Sequence, residues 1–371
     1  MIINILDPCL RSVAGHYFDR DVGIARTLLQ EGHDVHIFGH VNAAEHIGQL
    51  VPENVGYSRI FRFDLPWTGL SPRFPFARQF QLYQHESSVI AADLKKARPA
   101  DLWIWPSLLA SFLNANASIK PKTAISGVIH TPLRKFGRGL LGHWTWRNAA
   151  YRAKKNGHEI RRLGAMDEAL VSELLPSLGS HGLRLLARPH QPSDPVSRKD
   201  KLLIVGFFGA QRAEKGQLIV EQIVDACVNS DLRVIVQDSH ATQTEEPDES
   251  SAVRRYGFVE NLAALVSQAD LVVLPYEPRG YVKRYSGIGG LAISCGVPVL
   301  APAETGIARM LEQYGTGATF RDASLAEIVA AIFRMRDQYP KHAEAAFEAS
   351  ALWAARDGLS RHVAELTGRA N

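Results

Sequence analysis

Cysteine is scarce in this chain: three in 371 residues, Cys9, Cys227 and Cys295, odd in number and far apart. That spacing indicates neither a disulfide framework nor a zinc-ligand cluster, and it favours a reducing, cytoplasmic setting. Long apolar runs are missing as well. The uncharged stretch 286–303 is broken by four glycines and two prolines, so it is no membrane span. Met1 to Asp7 enters a short apolar strand with no basic region ahead of it, and no signal peptide is expected there. Charge of one sign is also in short supply. The formal net charge is +4, too mild to argue for nucleic acid, and no RNA- or DNA-binding motif accompanies it.

What is present is length and apolar content enough for two cores. The charge is unevenly spread, with a balance of +8 over residues 1–190 and −4 over the remainder. Most of the excess lies between Arg134 and Arg162, where nine Lys/Arg face the single acid Glu159 and alternate with Phe136, Trp144, Trp146 and Tyr151. Basic residues with interfacial aromatics suit an anionic membrane surface or a phosphate-bearing acceptor. The alternative is a solvated helix and loop whose tryptophans pack inward.

Hydrophobic periodicity switches repeatedly between apolar runs and amphipathic stretches. Ile2–Leu6, Asp34–Phe38, Leu102–Trp105 and Thr123–Ile129 read as buried strands, with Asp21–Glu31 and Tyr83–Lys96 as helices, and Ala165–Val171 as a late strand. This is the alternation of a doubly wound α/β domain. Arg188–Asp200, with three prolines, reads as a linker. The alternation then restarts, with strands at Leu202–Phe208, Leu232–Gln237, Val253–Phe258, Leu271–Pro275 and Val297–Ala301. Helices fall between them at Gln217–Val228, Leu262–Gln268 and Gly287–Cys295. The expected architecture is two Rossmann-like α/β domains, 1–190 and 191–371, with the terminal helices able to pack back on the first. A cleft between facing carboxyl edges would bind a small ligand. His240–Ser251, rich in Thr, Glu, Asp and Ser, is expected to be a mobile loop.

The most informative stretch is 201–216, Lys-Leu-Leu-Ile-Val-Gly-Phe-Phe-Gly-Ala-Gln-Arg-Ala-Glu-Lys-Gly. An apolar run breaks at Gly209 into a loop carrying Arg212 and Lys215, and Gly216 precedes a helix. In a parallel sheet, ligands bind beyond the carboxyl ends of the strands, so these two charges lie where an anion would sit. Solvated loop charges are the alternative.

Three patterns in this half resemble the carboxyl-terminal domain of GT-B glycosyltransferases, in particular the family-four-like group of retaining enzymes. Gly209 to Gly216 is similar to the Gly-Arg-x-x-x-x-Lys-Gly loop, with Lys215 and Gly216 in register and the arginine displaced to 212. Tyr256-Gly-Phe-Val and Leu262 to Pro275 resemble the Gly-Phe-Val and Ala-Asp-Val…Leu-Pro run. Ser286 to Ala301 resembles the helix and strand joined by Cys-Gly-x-Pro-Val. Their order and spacing, over about 110 residues, are more specific than any one of them. The first half fits more loosely: Asp7 to His16, with Gly15, takes the place of the glycine-rich loop, and His130 falls where related enzymes carry a histidine near the reacting sugar. Where the family places two glutamates eight residues apart, this chain has Lys283 and Leu291. Glu277 is near but wrongly spaced, and Tyr276 to Gly287 resembles a variant turn, so retention or inversion of configuration stays open.

The resemblance implies transfer of a sugar from a nucleotide-diphosphate sugar to a glycan or lipid-linked glycan, in bacterial polysaccharide or cell-surface glycan synthesis. Departure of the diphosphate leaves negative charge. Gly209, Arg212, Lys215, Lys283, Arg284 and the helix start at Ser286 and Gly287 are the candidates to neutralise it. Such cations can replace a metal, so neither metal nor cofactor is expected beyond the nucleotide sugar. Phe258 and Val259 would meet the nucleoside, and Gly15, Glu277 and Tyr285 the donor sugar. For a base acting on the acceptor, His16 and His130 at strand-end loops are preferred to Asp19 and Asp21, whose place at a helix start also serves the helix dipole. The partners expected are a nucleotide sugar, a glycan or polyprenyl-linked acceptor and an anionic membrane surface along 134–162, at the inner face of the cytoplasmic membrane. Two rivals are a nucleotide-sugar epimerase and a non-catalytic glycan-binding descendant of the fold.

Overall fold

The computed structural model describes residues 1–13, 16–63, 76–119, 122–130, 139–190, 201–238, 248 and 250–369. They form two compact units, one of residues 1–187 with 359–371 and one of residues 188–358.

In the first unit β1 (Ile2–Leu6), α1 (His16–Gln30), β2 (Asp34–His40), α2 (Ile47–Leu50), β3 (Val55–Phe61), α3 (Phe76–Leu94), β4 (Leu102–Trp105), α4 (Ala110–Asn116), β5 (Ala124–Val128), α5 (Gly139–Lys155), β6 (Glu159–Ala165), α6 (Glu168–Leu178) and β7 (Leu183–Leu185) follow in turn. The sheet order is β3-β2-β1-β4-β5-β6-β7, and every pairing is parallel. A strand buried on both faces has no polar side to show, which is why Leu-Trp-Ile-Trp of β4 is entirely buried. Trp105 packs on Phe61 and Phe112, ring centroids 5.9 and 5.2 Å away.

The second unit repeats the plan with β8 (Ile204–Phe207), α7 (Gln217–Val228), β9 (Arg233–Gln237), β10 (Val253–Tyr256), α8 (Leu262–Val266), β11 (Leu271–Val273), α9 (Pro278–Tyr281), α10 (Gly287–Ser294), β12 (Val299–Pro302), α11 (Gly306–Tyr314), β13 (Ala318–Phe320), α12 (Leu325–Asp337) and α13 (Tyr339–Arg356). Its order is β10-β9-β8-β11-β12-β13, again all parallel. Ile223, Val224, Ile332 and Met335 fill one layer of its core and Ile293, Met310 and Trp353 the other.

The last helix, α14 (Leu359–Leu366), belongs to the first unit. Ser126 Oγ donates to the Leu366 carbonyl at 2.6 Å, and Glu365 Oε2 accepts from the Ala187 amide at 2.7 Å. The second unit therefore ends at Gly358 rather than at 371. The run Ala165–Val171 is not one strand. Asp167 caps α6 by accepting from the Leu170 amide, so β6 lies earlier, across Glu159–Ala165, in a segment whose charges hide it. Three further strands, β3, β7 and β13, carry too little apolar alternation to be read from sequence; all three are outermost strands of their sheets and pair on one side only. Most of the expected linker and of the 240–251 loop falls outside the described residues.

Candidate active site

In each unit the strand order reverses beside the first strand, and there the loops after neighbouring strands leave for opposite faces of the sheet. A crevice opens at such a switch point. In the second unit it is bounded by the loop after β8 and the segment after β11.

The β8 loop is shaped by two left-handed glycines, Gly209 at φ +92° and Gly216 at φ +81°. A Cβ on Gly216 would stand 2.2 Å from the Pro275 carbonyl oxygen, so only glycine lets this loop lie against the β11 segment. Gln237 secures it: Oε1 accepts from the Gly209 amide at 2.8 Å while Nε2 donates to the Gly257 carbonyl at 2.9 Å. Asp238 accepts from the Gln211 amide at 3.2 Å. Sequence alone did not single out Gln237 or Asp238 as supports, because a strand-end Gln-Asp pair has no distinctive spacing.

This frame sets Lys215 inside the crevice. Its Nζ stands 5.5 Å from the centroid of the Tyr276 ring and 3.4 Å from the point a Cβ of Gly209 would occupy. That same point lies 3.2 Å from Ile288, so the loop and the first turn of α10 adjoin. Burial lowers the Lys215 ammonium from 10.5 to about 8; Arg212 and Arg284 repel it further, while Glu214 and Asp238 oppose the fall. Arg212 is exposed, 3.9 Å from Glu214. Arg284 lies over the Tyr281 ring at 5.2 Å, and Tyr281 packs at a tilt against the buried Tyr276, ring centroids 4.5 Å apart. Three cations thus share one edge, and the half-buried one is held at a cost that an anion would relieve.

Ser286 caps α10, its Oγ accepting from the Gly289 amide at 3.2 Å and lying 3.4 Å from the Tyr276 hydroxyl. The amides of Gly287 and Ile288 have no carbonyl within the helix, so these two, rather than the serine hydroxyl, are available to an oxygen anion. Lys283 is half-buried on the turn between α9 and α10. The Glu277 amide donates to the Glu214 carbonyl at 3.0 Å, and its side chain is exposed at the start of α9 without capping it. Tyr285 lies beside His190, ring centroids 6.4 Å apart. Phe258 and Val259 are half-buried just past β10, beyond the Gly257 carbonyl that Gln237 holds.

In the first unit the same edge is self-compensated. Arg20 on α1 donates through Nη2 to Asp7 at 2.6 Å, through Nε to Asp21 at 3.0 Å, and through Nη1 to the Pro106 carbonyl and Ser107 Oγ at 3.2 and 3.1 Å. Burial, then Asp7, raises the Asp21 carboxyl well above the usual range, and with no exposed surface Asp21 is closed to a substrate. Asp19, two residues before it, is exposed on the same helix. Although water reaches Asp19, protein crowding raises its carboxyl to about 6, with Arg26 opposing. His130, just beyond β5, is half-buried and donates from Nε2 to the Pro106 carbonyl at 2.8 Å. Gly15 and the His16 side chain lie outside the described residues. Among the described residues no three His, Cys, Asp or Glu side chains are grouped to hold a metal ion.

The basic aromatic segment resolves into two faces. On α5, Leu141, Thr145, Trp146, Ala149, Ala150 and Ala153 are buried, whereas Trp144, Arg147, Tyr151, Lys154 and Lys155 form an exposed stripe at helical spacing. Trp146 is therefore core, and Phe136 lies outside the described residues. Arg152 is half-buried and donates to Asn114 Oδ1 at 2.7 Å, so it is not a surface charge. Among the described residues, no helix is long and apolar enough to cross a membrane.

Residues 199–338 match the family described as Glycosyl transferases group 1. No curated protein matches the chain in sequence. Solved structures match nearly its whole length. HepE of Anabaena in complex with UDP and glucose has a TM-score of 0.64 at 16% identity, with 96% of this chain and 95% of that one covered. Sucrose-phosphate synthase of Thermosynechococcus elongatus gives 0.63 at 15%, covering 99% and 97%. WaaG, a glycosyltransferase involved in lipopolysaccharide biosynthesis, gives 0.59 at 15%, covering 99% and 100%. At these identities the likeness is one of fold. The fold is GT-B, two Rossmann-like α/β units. The match to group 1 lies within the second unit.

Proposed function

We propose that the chain transfers a sugar from a nucleotide-diphosphate sugar to a glycan or lipid-linked glycan acceptor in bacterial cell-surface polysaccharide synthesis. The observation that carries this is the half-buried, depressed Lys215 beside Arg212, Arg284 and the first amides of α10. A diphosphate is the leaving group such an edge stabilises, because the cations and the amides all act on charge that grows as the glycosidic bond breaks. In this reading the cations take the part a metal would otherwise play. HepE, solved with UDP-glucose, favours a UDP-sugar donor by analogy of fold. Phe258 and Val259 would border the base, and His130 would face the acceptor side of the reacting sugar. The α5 stripe would hold the enzyme at the anionic inner face of the cytoplasmic membrane, beside a lipid-linked acceptor.

The test is binding and turnover of UDP-sugars by the intact chain. Lys215→Ala should lose most of the thermal stabilisation that UDP gives the wild type; a variant that responds in full would overturn the donor site. Release of UDP only when a glycan acceptor is supplied separates transfer from epimerisation, which needs the donor alone.

A further inference from the structure

The group that transfer chemistry leaves unused is the Arg20 guanidinium. The strand order reverses between β1 and β4, so the loops after them run apart, and Arg20 spans the gap. Asp7 follows β1, Pro106 and Ser107 follow β4, and all of them bond the one side chain. Asp21, on the same helix, takes its Nε. A planar fork with three nitrogens in fixed directions can satisfy four oxygens at once, which a lysine cannot do. The Pro106 carbonyl is shared: it accepts from Arg20 Nη1 at 3.2 Å and from His130 Nε2 at 2.8 Å. A carbonyl only accepts, so Nε2 carries the proton and Nδ1 is the basic nitrogen of the neutral ring. The oxygen that accepts the ring proton is thus held in place by a residue 86 positions earlier in the chain.

We propose that Arg20 is a positioning residue for His130, setting the tautomer and direction of the imidazole through the Pro106 carbonyl. This rests on the reading that His130 faces the reacting sugar. Asp7 and Asp21 belong to the same device: they neutralise and aim the guanidinium, which explains why two buried carboxyl groups sit at an edge where a substrate would otherwise claim them.

The test reads the ring itself. With the full chain labelled at histidine nitrogens, the His130 signals, identified by their loss in His130→Gln, should show the Nε2–H tautomer in the wild type. In Arg20→Lys the Nδ1–H form should rise, with kcat down roughly ten- to hundredfold and the donor KM nearly unchanged. A folded Arg20→Lys that keeps the wild-type tautomer overturns the proposal, whatever its turnover. Should that variant not fold, Asp21→Asn, which keeps the side chain's volume and weakens the hold on Nε, is read in the same way. If the tautomer shifts while His130→Gln turns over normally, the positioning stands and the role of His130 in transfer falls.

Discussion

A lysine lowered to about 8 makes donor binding depend on pH in a way that can be worked out in advance. The free enzyme loses the Lys215 proton near pH 8, whereas a bound diphosphate would return the ammonium toward its ordinary 10.5. Affinity for a UDP-sugar, whose diphosphate does not titrate in this range, should then fall about tenfold from pH 7 to pH 9, or roughly 1.4 kcal/mol. Stability of the unliganded protein should move the other way. Between about pH 8 and 10.5 an unfolded lysine still holds a proton that the folded one has released, so the unfolded chain binds more protons and stability rises with pH. Water reaches the half-buried side chain, and the part relieved is of order 2 kcal/mol after that discount. Lys215→Arg keeps its charge throughout and should flatten both slopes. Calorimetric titration with a UDP-sugar at pH 7, 8 and 9, beside urea unfolding of the free protein, reads both quantities. Equal pH slopes in wild type and Lys215→Arg would refute the reasoning.

The remaining predictions concern other parts of the molecule. Arg147→Ala, Lys154→Ala and Lys155→Ala together should weaken association with vesicles rich in anionic lipid by about 3 kcal/mol, near 1 per charge; sedimentation with unchanged binding would remove the stripe's proposed role. Gly216→Ala should destabilise by about 1–3 kcal/mol, read as a lowered urea midpoint, because φ is +81° and the new Cβ meets the Pro275 carbonyl. Burial raises the Glu86 carboxyl to about 7, with a Ser111 hydrogen bond opposing. The unfolded chain gives up that proton first, so stability present at pH 4 is lost as pH rises to 7. Glu86→Gln should cancel that loss and unfold at higher urea than wild type at pH 8, by up to about 3 kcal/mol.

Much of the plan was legible because a parallel sheet buried on both faces writes itself as uninterrupted apolar runs. Leu102–Trp105 and Gln217–Val228 fall where periodicity puts them. One charged strand, β6, did not show. Arg161 and Arg162 lie within β6, where Arg161 pairs with Glu159 and Arg162 donates to the Glu365 carbonyl; only the tertiary partners make room for them. The return of α14 to the first unit was allowed for in the sequence, but its anchors, Ser126 and Ala187, more than 170 positions away, were not visible there. In the site, Lys215 and its glycines were visible as a loop pattern. The supports were not, because Gln237 and Arg20 matter through what they reach across the fold rather than through their neighbours in sequence.

The two switch points differ in one physical respect. Both place charged groups at the carboxyl edge of a parallel sheet. In the first unit Arg20 meets Asp7 and Asp21 with all four of its bonds made inside the protein, so nothing there calls for an outside ion. In the second, Lys215, Arg212 and Arg284 repel one another, Arg212 has Glu214 only at 3.9 Å, and the nearest helix start offers two further donors. Folding has closed one edge electrostatically and left the other short of negative charge. An anionic nucleotide is therefore expected to bind to the isolated second unit's edge, while the first edge serves to hold side chains in place. Neutral and anionic ligands should accordingly respond differently to salt: binding of UDP should weaken with ionic strength, with a slope reduced in Arg212→Ala, and a slope unchanged by that substitution would mean that Arg212 does not take part in the field.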